Sequence, residues 1–183
     1  MNLQTEQLRL RDFEEHDWEA MLAIEGDPGA VRYQSFEPRT EVGCRVYIAR
    51  DIAARSPQRW CFDLAVTLAS SGRVVGRVGL DLKAPERRVG ELWFILERAS
   101  WGQGLMPEAA RCLADFGFRE KKLRRIFLEC DPRNVAAVRL AEKLGMKREG
   151  LLREHACIKG EWCDSLFYGV LASEWNGGRE ADS

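Results

Sequence analysis

The chain lacks the residue patterns of metal centres and disulfide frameworks. Only 2 of its 183 residues are histidines, and none of its 6 cysteines belongs to a C-x-x-C pair. Structural zinc sites and small disulfide-stapled domains both depend on such residues at short, regular spacings. The sequence therefore predicts a protein that binds no metal, with reduced cysteines that lie mostly in the interior.

Long apolar runs and an excess of one charge are absent too. No segment approaches the roughly 18 consecutive apolar residues that span a bilayer, and the first residues do not have the pattern of a signal peptide. The formal net charge is -1 at pH 7. This balance gives no electrostatic reason to expect nucleic acid or a membrane as the principal partner, and we expect a cytoplasmic protein.

The composition that remains is that of a globular domain. Hydrophobic residues make up 45% of the chain and charged residues 31%, which is an ordinary balance for such a domain. A chain of 183 residues is suited to one domain with a sizeable core. We predict a single domain over residues 1–175 and a disordered polar tail over residues 176–183.

Hydrophobic periodicity divides the chain into strands and helices. The predicted strands cover residues 7–11, 60–68, 73–81, 89–96, 125–130, 151–158 and 165–171. The predicted helices cover residues 16–25, 40–54, 107–118 and 134–144, and the second helix is expected to bury Val42, Val46 and either Ile48 or Ala49. This order predicts a mixed α/β fold with one central, mainly antiparallel sheet flanked by helices.

A glycine-bearing turn, Trp101-Gly-Gln-Gly-Leu-Met106, separates strand 89–96 from helix 107–118. Such a turn directs free backbone N–H groups and the positive end of the helix dipole toward one point, where a phosphate can bind. Gly102 and Gly104 permit unusual φ values and close approach of a ligand. The turn nevertheless lacks the motifs of a P-loop and of a dinucleotide fold, and taken alone it is as typical of a simple tight turn.

Two longer segments, residues 94–109 and 134–150, resemble the GNAT N-acetyltransferases, and most of all their RimJ/RimL group. The first is Phe94-Ile-Leu-Glu-Arg-Ala-Ser-Trp-Gly-Gln-Gly-Leu-Met-Pro-Glu-Ala109, which is similar to the family's acetyl-CoA-binding segment. The second is Asn134-Val-Ala-Ala-Val-Arg-Leu-Ala-Glu-Lys-Leu-Gly-Met-Lys-Arg-Glu-Gly150, which is similar to its second cofactor motif. Shorter similarities elsewhere extend the resemblance over nearly the whole chain. The resemblance implies a GNAT fold and acetyl-CoA as the co-substrate.

The resemblance also implies roles for individual residues. The pantetheine arm of acetyl-CoA would contact the backbone at the end of strand 89–96, namely Phe94, Ile95 and Leu96. It would also contact Asn134, which opens the following helix motif. The pyrophosphate would be bound by backbone amides of the turn, namely Gly102, Gln103, Gly104, Leu105 and Met106. Lys143 would reach the nucleotide end of the cofactor, although a lysine on a helix surface is more commonly only solvated.

Four positions depart from the family pattern. Trp101 and Met106 differ from the broad family within the turn, but the contacts expected there use backbone N–H groups and should tolerate both changes. Ala137 stands where a serine is common, and Ala141 stands where many members carry a tyrosine. These two departures remove the usual candidates for protonating the leaving thiolate, so no general acid is assigned.

The acceptor amine must lose a proton before it can attack the thioester. Glu91 is the candidate base, because it lies on the apolar strand that leads to the cofactor. His155 is the competing candidate, since histidine exchanges protons near neutral pH, although a lone strand histidine is more often structural. A base-free enzyme that works by positioning its substrates is the third possibility.

The sequence favours transfer to a primary amine, with a protein N-terminus as the leading acceptor. A small-molecule amine is the alternative within the same fold. A catalytically weak acyl-CoA-binding or sensing module is the alternative of a different class, motivated by Ala137 and Ala141. The sequence leaves the oligomeric state open, and a homodimer is among the states that it allows.

Overall fold

The fold is built on an eight-stranded sheet whose two faces are covered by different helices. The computed structural model describes residues 1–56 and 58–177. The strands are β1 (Asn2–Gln4), β2 (Leu8–Arg11), β3 (Cys61–Leu68), β4 (Val74–Ala84), β5 (Val89–Leu96), β6 (Arg125–Cys130), β7 (Lys147–Ile158) and β8 (Glu161–Leu171). The helices are α1 (Trp18–Glu25), α2 (Glu41–Ala54), α3 (Leu105–Arg119) and α4 (Val135–Lys143). Within these residues, no helix has both the length and the apolar character needed to cross a membrane.

The strand order is β1-β2-β3-β4-β5-β6-β8-β7, and β5 and β6 form the parallel pair in an otherwise antiparallel sheet. This arrangement confirms the predicted mixed α/β class. Strand β1 was missed, because three residues are too few to show periodicity. Helix α3 begins at Leu105, two residues before the predicted start. Most of the predicted tail, residues 178–183, lies outside the described residues, and the single domain stays a prediction.

The prediction for the inner face of α2 was wrong at two positions. Val42 is 70% exposed and Val46 is 44% exposed, whereas Cys44 and Ile48 are buried. The inner face consists of Ile48, which was one of the two predicted alternatives, together with Cys44 and Tyr47 at three- and four-residue spacing on the same side of the helix. The Tyr47 hydroxyl donates a hydrogen bond to Asp63 Oδ2 on β3 at 2.6 Å. A polar contact therefore fixes the orientation that hydrophobicity alone did not reveal.

Two apolar clusters lie on opposite faces of the sheet. The larger cluster joins the sheet to α3 and α4, and the smaller one joins it to α1 and α2. Alternation along β5 divides its side chains between them, with Leu92 in the larger cluster and Ile95 in the smaller one. We refer to these surfaces as the α3/α4 face and the α1/α2 face.

The parallel pair β5–β6 is short and opens into a gap. Its register pairs Val89 with Arg125, Gly90 with Ile126 and Glu91 with Phe127. Beyond Glu91 and Phe127 the two strands are no longer paired, although β5 continues to Leu96 and β6 to Cys130. The opening between them, which we call the splay, leads toward the turn that starts α3. Backbone groups that face the splay need partners from another source.

Candidate active site

The turn before α3 ends in a helix N-terminus that no side chain caps. Gly104 is the N-cap of α3 and has φ 78°, while Gly102 has φ 77°. A Cβ atom at either glycine would meet nothing within 4 Å. The requirement for glycine is therefore conformational rather than steric, because other residues rarely adopt these angles. The first amides of α3 have no partner within the helix, which makes this end suited to an anion.

A cavity of about 600 Å³ lies beside this helix end. Nine of the predicted cofactor residues line it, namely Phe94, Ile95, Leu96, Gly102, Gly104, Leu105, Met106, Asn134 and Lys143. Gln103 is not among the lining residues, because its side chain turns back and donates from Nε2 to the carbonyl oxygen of Ala99 at 2.9 Å. The structure thus brings both predicted motifs and the end of β5 to one cavity.

Two side-chain hydrogen bonds reach the carbonyl oxygens at the end of β5. Gln34 donates from Nε2 to the Phe94 oxygen at 3.1 Å, and Trp101 donates from its indole to the Leu96 oxygen at 2.9 Å. The Trp101 bond ties the turn to the strand, which gives this departure from the broad family a structural role. Gln34 belongs to the α1–α2 loop, and sequence reasoning missed it because no local pattern indicates a contact 60 residues away.

Helix α4 forms the opposite wall of the cavity. The Asn134 Oδ1 atom caps the helix by accepting a hydrogen bond from the Ala137 amide at 3.2 Å, so its Nδ2 group is left to donate elsewhere. Ala137 and Ala141 are buried in the α3/α4 face and contribute no polar group. One turn apart on the exposed side of α4, Arg139 and Lys143 also line the cavity and add positive charge.

Glu91 lies outside this cavity, at the closed end of the splay. Its Oε2 atom forms an ion pair with Lys83 Nζ at 2.8 Å, and its side chain is 22% exposed. Its strand pairing with Phe127 and the alternation of β5 place it on the α1/α2 face with Trp93 and Ile95. Its predicted role as the base stays a prediction.

His155 occupies the same face on the other side of the splay. Its Nδ1 atom lies 3.1 Å from Glu129 Oε1 and 3.1 Å from Ser165 Oγ. Its ring also meets the edge of Phe167, with 5.5 Å between ring centroids. The histidine is thus part of a cluster that joins β7, β8 and β6.

A buried group of charges anchors α1 and α2 to the sheet. Arg77 on β4 forms ion pairs with Glu25 at 2.8 Å and with Asp63 at 3.1 Å, and Arg39 pairs with the other oxygen of Glu25. Burial raises the pKa of Asp63 to about 6. Burial also lowers the pKa of Arg77, but Asp63 and Glu25 outweigh it, so that its pKa is raised overall. Sequence reasoning missed this network, although charged residues inside two apolar strands were a visible signal.

Comparison with known proteins matches this geometry to one family. The acetyltransferase (GNAT) domain matches residues 7–147. The uncharacterized N-acetyltransferase YnaD of Bacillus subtilis (strain 168) is 27% identical over 179 residues, which cover 96% of this chain and 100% of YnaD. The crystal structure of a GNAT-family acetyltransferase from Bacillus anthracis is 29% identical, with a TM-score of 0.86, over 95% of this chain and 100% of that one.

Two more distant structures share the fold and contain coenzyme A. RimL, a ribosomal L7/L12 α-N-protein acetyltransferase, has a TM-score of 0.82 and 17% identity over 93% of this chain and 98% of its own. Spermidine N-acetyltransferase from Vibrio cholerae, bound to CoA and spermine, has a TM-score of 0.80 and 23% identity over 93% and 98%. Fold, relatives and domain match agree, and the chain belongs to the GNAT family as an N-acetyltransferase that uses acetyl-CoA.

Proposed function

We propose that this enzyme acetylates a primary amine at a protein N-terminus, in the manner of the RimJ/RimL group. The observation that carries the proposal is the character of the α1/α2 face beside the splay. Trp93, Phe127 and Phe167 are only half-buried there, while Glu91 is paired with Lys83 and Glu129 contacts His155. Aromatic rings, together with carboxylates that already have a partner, suit an acceptor that carries one ammonium group next to an apolar side chain.

The proposed cofactor position follows the cavity. The pyrophosphate of acetyl-CoA lies against the amides from Gly102 to Met106, and the pantetheine runs along Phe94, Ile95 and Leu96 past Asn134. Lys143 is close to the nucleotide phosphates. Three observations support this position: α3 starts without a side-chain cap, a cavity lies beside it, and two proteins of this fold contain coenzyme A.

The Gln34 side chain lies where the pantetheine would meet the strand. It donates to the Phe94 oxygen, a carbonyl that pantetheine amides would use in the proposed position. We expect Gln34 either to move when acetyl-CoA binds or to share this oxygen with it, since a carbonyl oxygen has two lone pairs.

Glu91 and His155 are both retained as candidates for the base. Glu91 is on the strand that enters the site, but its carboxylate is already engaged in a direct ion pair with Lys83. His155 is half-exposed on the opposite wall of the splay and can receive a proton from an incoming amine. Neither candidate lines the cofactor cavity, as expected for a group that serves the acceptor.

Polyamine acetylation is the second candidate function. It is supported by resemblance to the spermidine N(1)-acetyltransferase of Escherichia coli (strain K12), which is 25% identical over 160 residues. A polyamine carries several positive charges and would be favoured by carboxylates that have no cation nearby. The pairing of Glu91, Glu129 and Asp63 with cations or histidine weighs against it. The third candidate, an acyl-CoA sensor, rests on the buried alanines Ala137 and Ala141.

A thiol-release assay with acetyl-CoA separates the three functions. The probes are spermidine and short peptides with free N-termini, each compared with the same peptide blocked by an N-terminal acetyl group. We expect release of coenzyme A with a free peptide, and none with its blocked form. Faster release with spermidine than with any peptide would establish the polyamine reading. Binding of acetyl-CoA without release on any probe would establish the sensor.

The Glu91→Gln variant tests the base assignment from sequence. If Glu91 takes the proton, kcat should fall by roughly 10²-fold or more, the usual size of a general-base contribution. Lys83→Met is the matched control, because it removes the ion-pair partner but keeps the carboxylate. Unchanged turnover in Glu91→Gln would remove Glu91 from the mechanism.

A further inference from the structure

We infer that His155 is the group that accepts the proton of the acceptor ammonium, and that Glu129 positions it for this task. The inference rests on the proposed function and concerns the wall of the splay opposite Glu91. Glu129 lies on β6 two residues beyond Phe127, the last residue of β6 that pairs with β5. It therefore lies beside the opening, where β6 is still paired with β8 but no longer with β5.

Strand alternation places this cluster on the acceptor side. Phe127 is paired with Glu91, and Glu129 is paired with Phe167, so these four side chains share the α1/α2 face. The opposite face is packed against α3 and α4, and the cofactor cavity is lined by residues of these helices, of the end of β5 and of the α1–α2 loop. An amine that reaches the thioester from the α1/α2 face passes Glu129 and His155.

An irregularity in β7 directs His155 toward this position. Residues 153–155 of β7 stand opposite the single residue Asp164 of β8, between the pairs Leu152–Ser165 and Ala156–Cys163. Glu154 within this bulge has φ 47°, a conformation that is strained for a residue other than glycine, and its amide donates to Asp164 Oδ1 at 2.9 Å. Bulges commonly re-aim a side chain near an active site. Here the result is a histidine on β7 that reaches across β8 to a carboxylate on β6.

The contacts of His155 define which nitrogen is available. Two polar groups, Glu129 Oε1 and Ser165 Oγ, lie within hydrogen-bond distance of Nδ1. A carboxylate only accepts hydrogen bonds, so Nδ1 carries the hydrogen in the neutral ring and Nε2 presents its lone pair. The side chain of His155 is 40% exposed, which leaves room for an amine to approach.

Aromatic rings beside the histidine form a surface on which the acceptor can pack. Phe127 and Phe167 stack with 6.4 Å between centroids and an interplanar angle of 27°. Trp93 lies on the same face across the splay, and all three rings are half-buried. Arg77 already lies over the Trp93 ring, 4.6 Å from its centroid, and Arg125 lies 5.9 Å from the centroid of Phe127. The rings therefore offer the acceptor mainly an apolar contact surface.

The proton balance of the reaction is complete with these groups. The acceptor ammonium donates a proton to Nε2 of His155, and the resulting imidazolium is stabilised by the Glu129 carboxylate. The free amine forms a C–N bond with the thioester carbon and the C–S bond breaks. The leaving thiolate takes the second proton from the amine nitrogen, so no protein acid is needed at Ala137 or Ala141. His155 then releases its proton to solvent.

The tautomer of His155 tests the geometry without turnover. With 15N-labelled histidine, long-range 1H–15N spectra report which ring nitrogen carries the proton in each of the two histidines. We expect the Nδ1–H form for His155 in the wild-type protein, a shift away from it in Glu129→Leu, and retention in Glu129→Gln, whose amide oxygen still accepts. His16, which is 74% exposed, is the internal control and should not change. An unchanged tautomer in Glu129→Leu would overturn the positioning role.

Steady-state kinetics test the catalytic role, with whichever probe the wild-type enzyme acetylates, spermidine or a free N-terminal peptide. His155→Gln should lower kcat by roughly 10²-fold or more. Glu129→Leu should lower kcat by about tenfold, with Glu129→Gln between it and the wild type and KM for acetyl-CoA unchanged in both. Glu149→Leu is the matched control, because Glu149 lies on β7 with His155 but pairs with Arg125 instead of the histidine.

The outcomes separate the inference from the function on which it rests. A wild-type enzyme that acetylates a probe, with His155→Gln equally active, would overturn the inference and leave the function intact. A wild-type enzyme that binds acetyl-CoA and acetylates neither probe would overturn the proposed function and the catalytic role together.

Discussion

The two faces of the central sheet are built from different interactions. The α3/α4 face is closed by apolar side chains, and its functional groups are backbone amides at the start of α3 together with the end of β5. The α1/α2 face buries Arg77, Asp63 and Glu25 and carries Glu91 and His155 near the splay. One face relies on backbone geometry, whereas the other relies on the chemistry of particular side chains.

This difference explains which substitutions each face tolerates. Trp101 and Met106 depart from the broad family without altering the amides that the turn provides, and Trp101 adds a hydrogen bond to β5. On the α1/α2 face, in contrast, the loss of one member of a charge network leaves its partners buried without compensation. We therefore expect substitutions on that face to have larger effects on folding.

The largest expected effect is that of Arg77→Met on stability. The substitution leaves Glu25 paired with Arg39 and Asp63 with the Tyr47 hydroxyl. Breaking a buried ion pair in this way typically costs about 3–5 kcal/mol of unfolding free energy. Urea denaturation measures the loss, with Arg73→Met as the control, since the pair of Arg73 with Glu97 is exposed and worth less than about 1 kcal/mol. Equal losses in the two variants would mean that the buried network does not anchor α1 and α2.

A smaller effect is expected from Gly104→Ala at the start of α3. The φ of 78° strains any residue with a Cβ atom by about 1–2 kcal/mol. Because relief of that strain would turn the amides away, we expect acetyl-CoA to bind about tenfold more weakly. Gly72→Ala is the control, since Gly72 has φ 72°, equally open surroundings and no place in the cavity. Titration calorimetry should show normal affinity for the control, and normal affinity for Gly104→Ala would separate the turn from cofactor binding.

How well each face could be predicted from sequence follows the same division. The end of β5, the turn and the asparagine-led helix are continuous segments, so their residues could be predicted together as cofactor residues, and nine of them line one cavity. Other residues reach the site only through contacts between distant segments, and no local sequence pattern predicts them. These are Gln34, Glu129 and Ser165. The inner face of α2 was misread for a related reason, because its orientation depends on the hydrogen bond from Tyr47 to Asp63 on another strand.

The smallest expected effect is that of removing an exposed cation of α4. It tests whether backbone amides, rather than side chains, dominate cofactor binding on the α3/α4 face. Arg139 and Lys143 line the cavity but are exposed, so each contact with a phosphate should contribute less than about 1 kcal/mol. Arg139→Met should weaken acetyl-CoA binding about threefold at low salt and less at high salt, because ions screen exposed charges. Arg50→Met on the exposed side of α2 is the matched control and should have no effect. A loss as large as that of Gly104→Ala would mean that side chains, rather than the amides of the turn, dominate binding on the α3/α4 face.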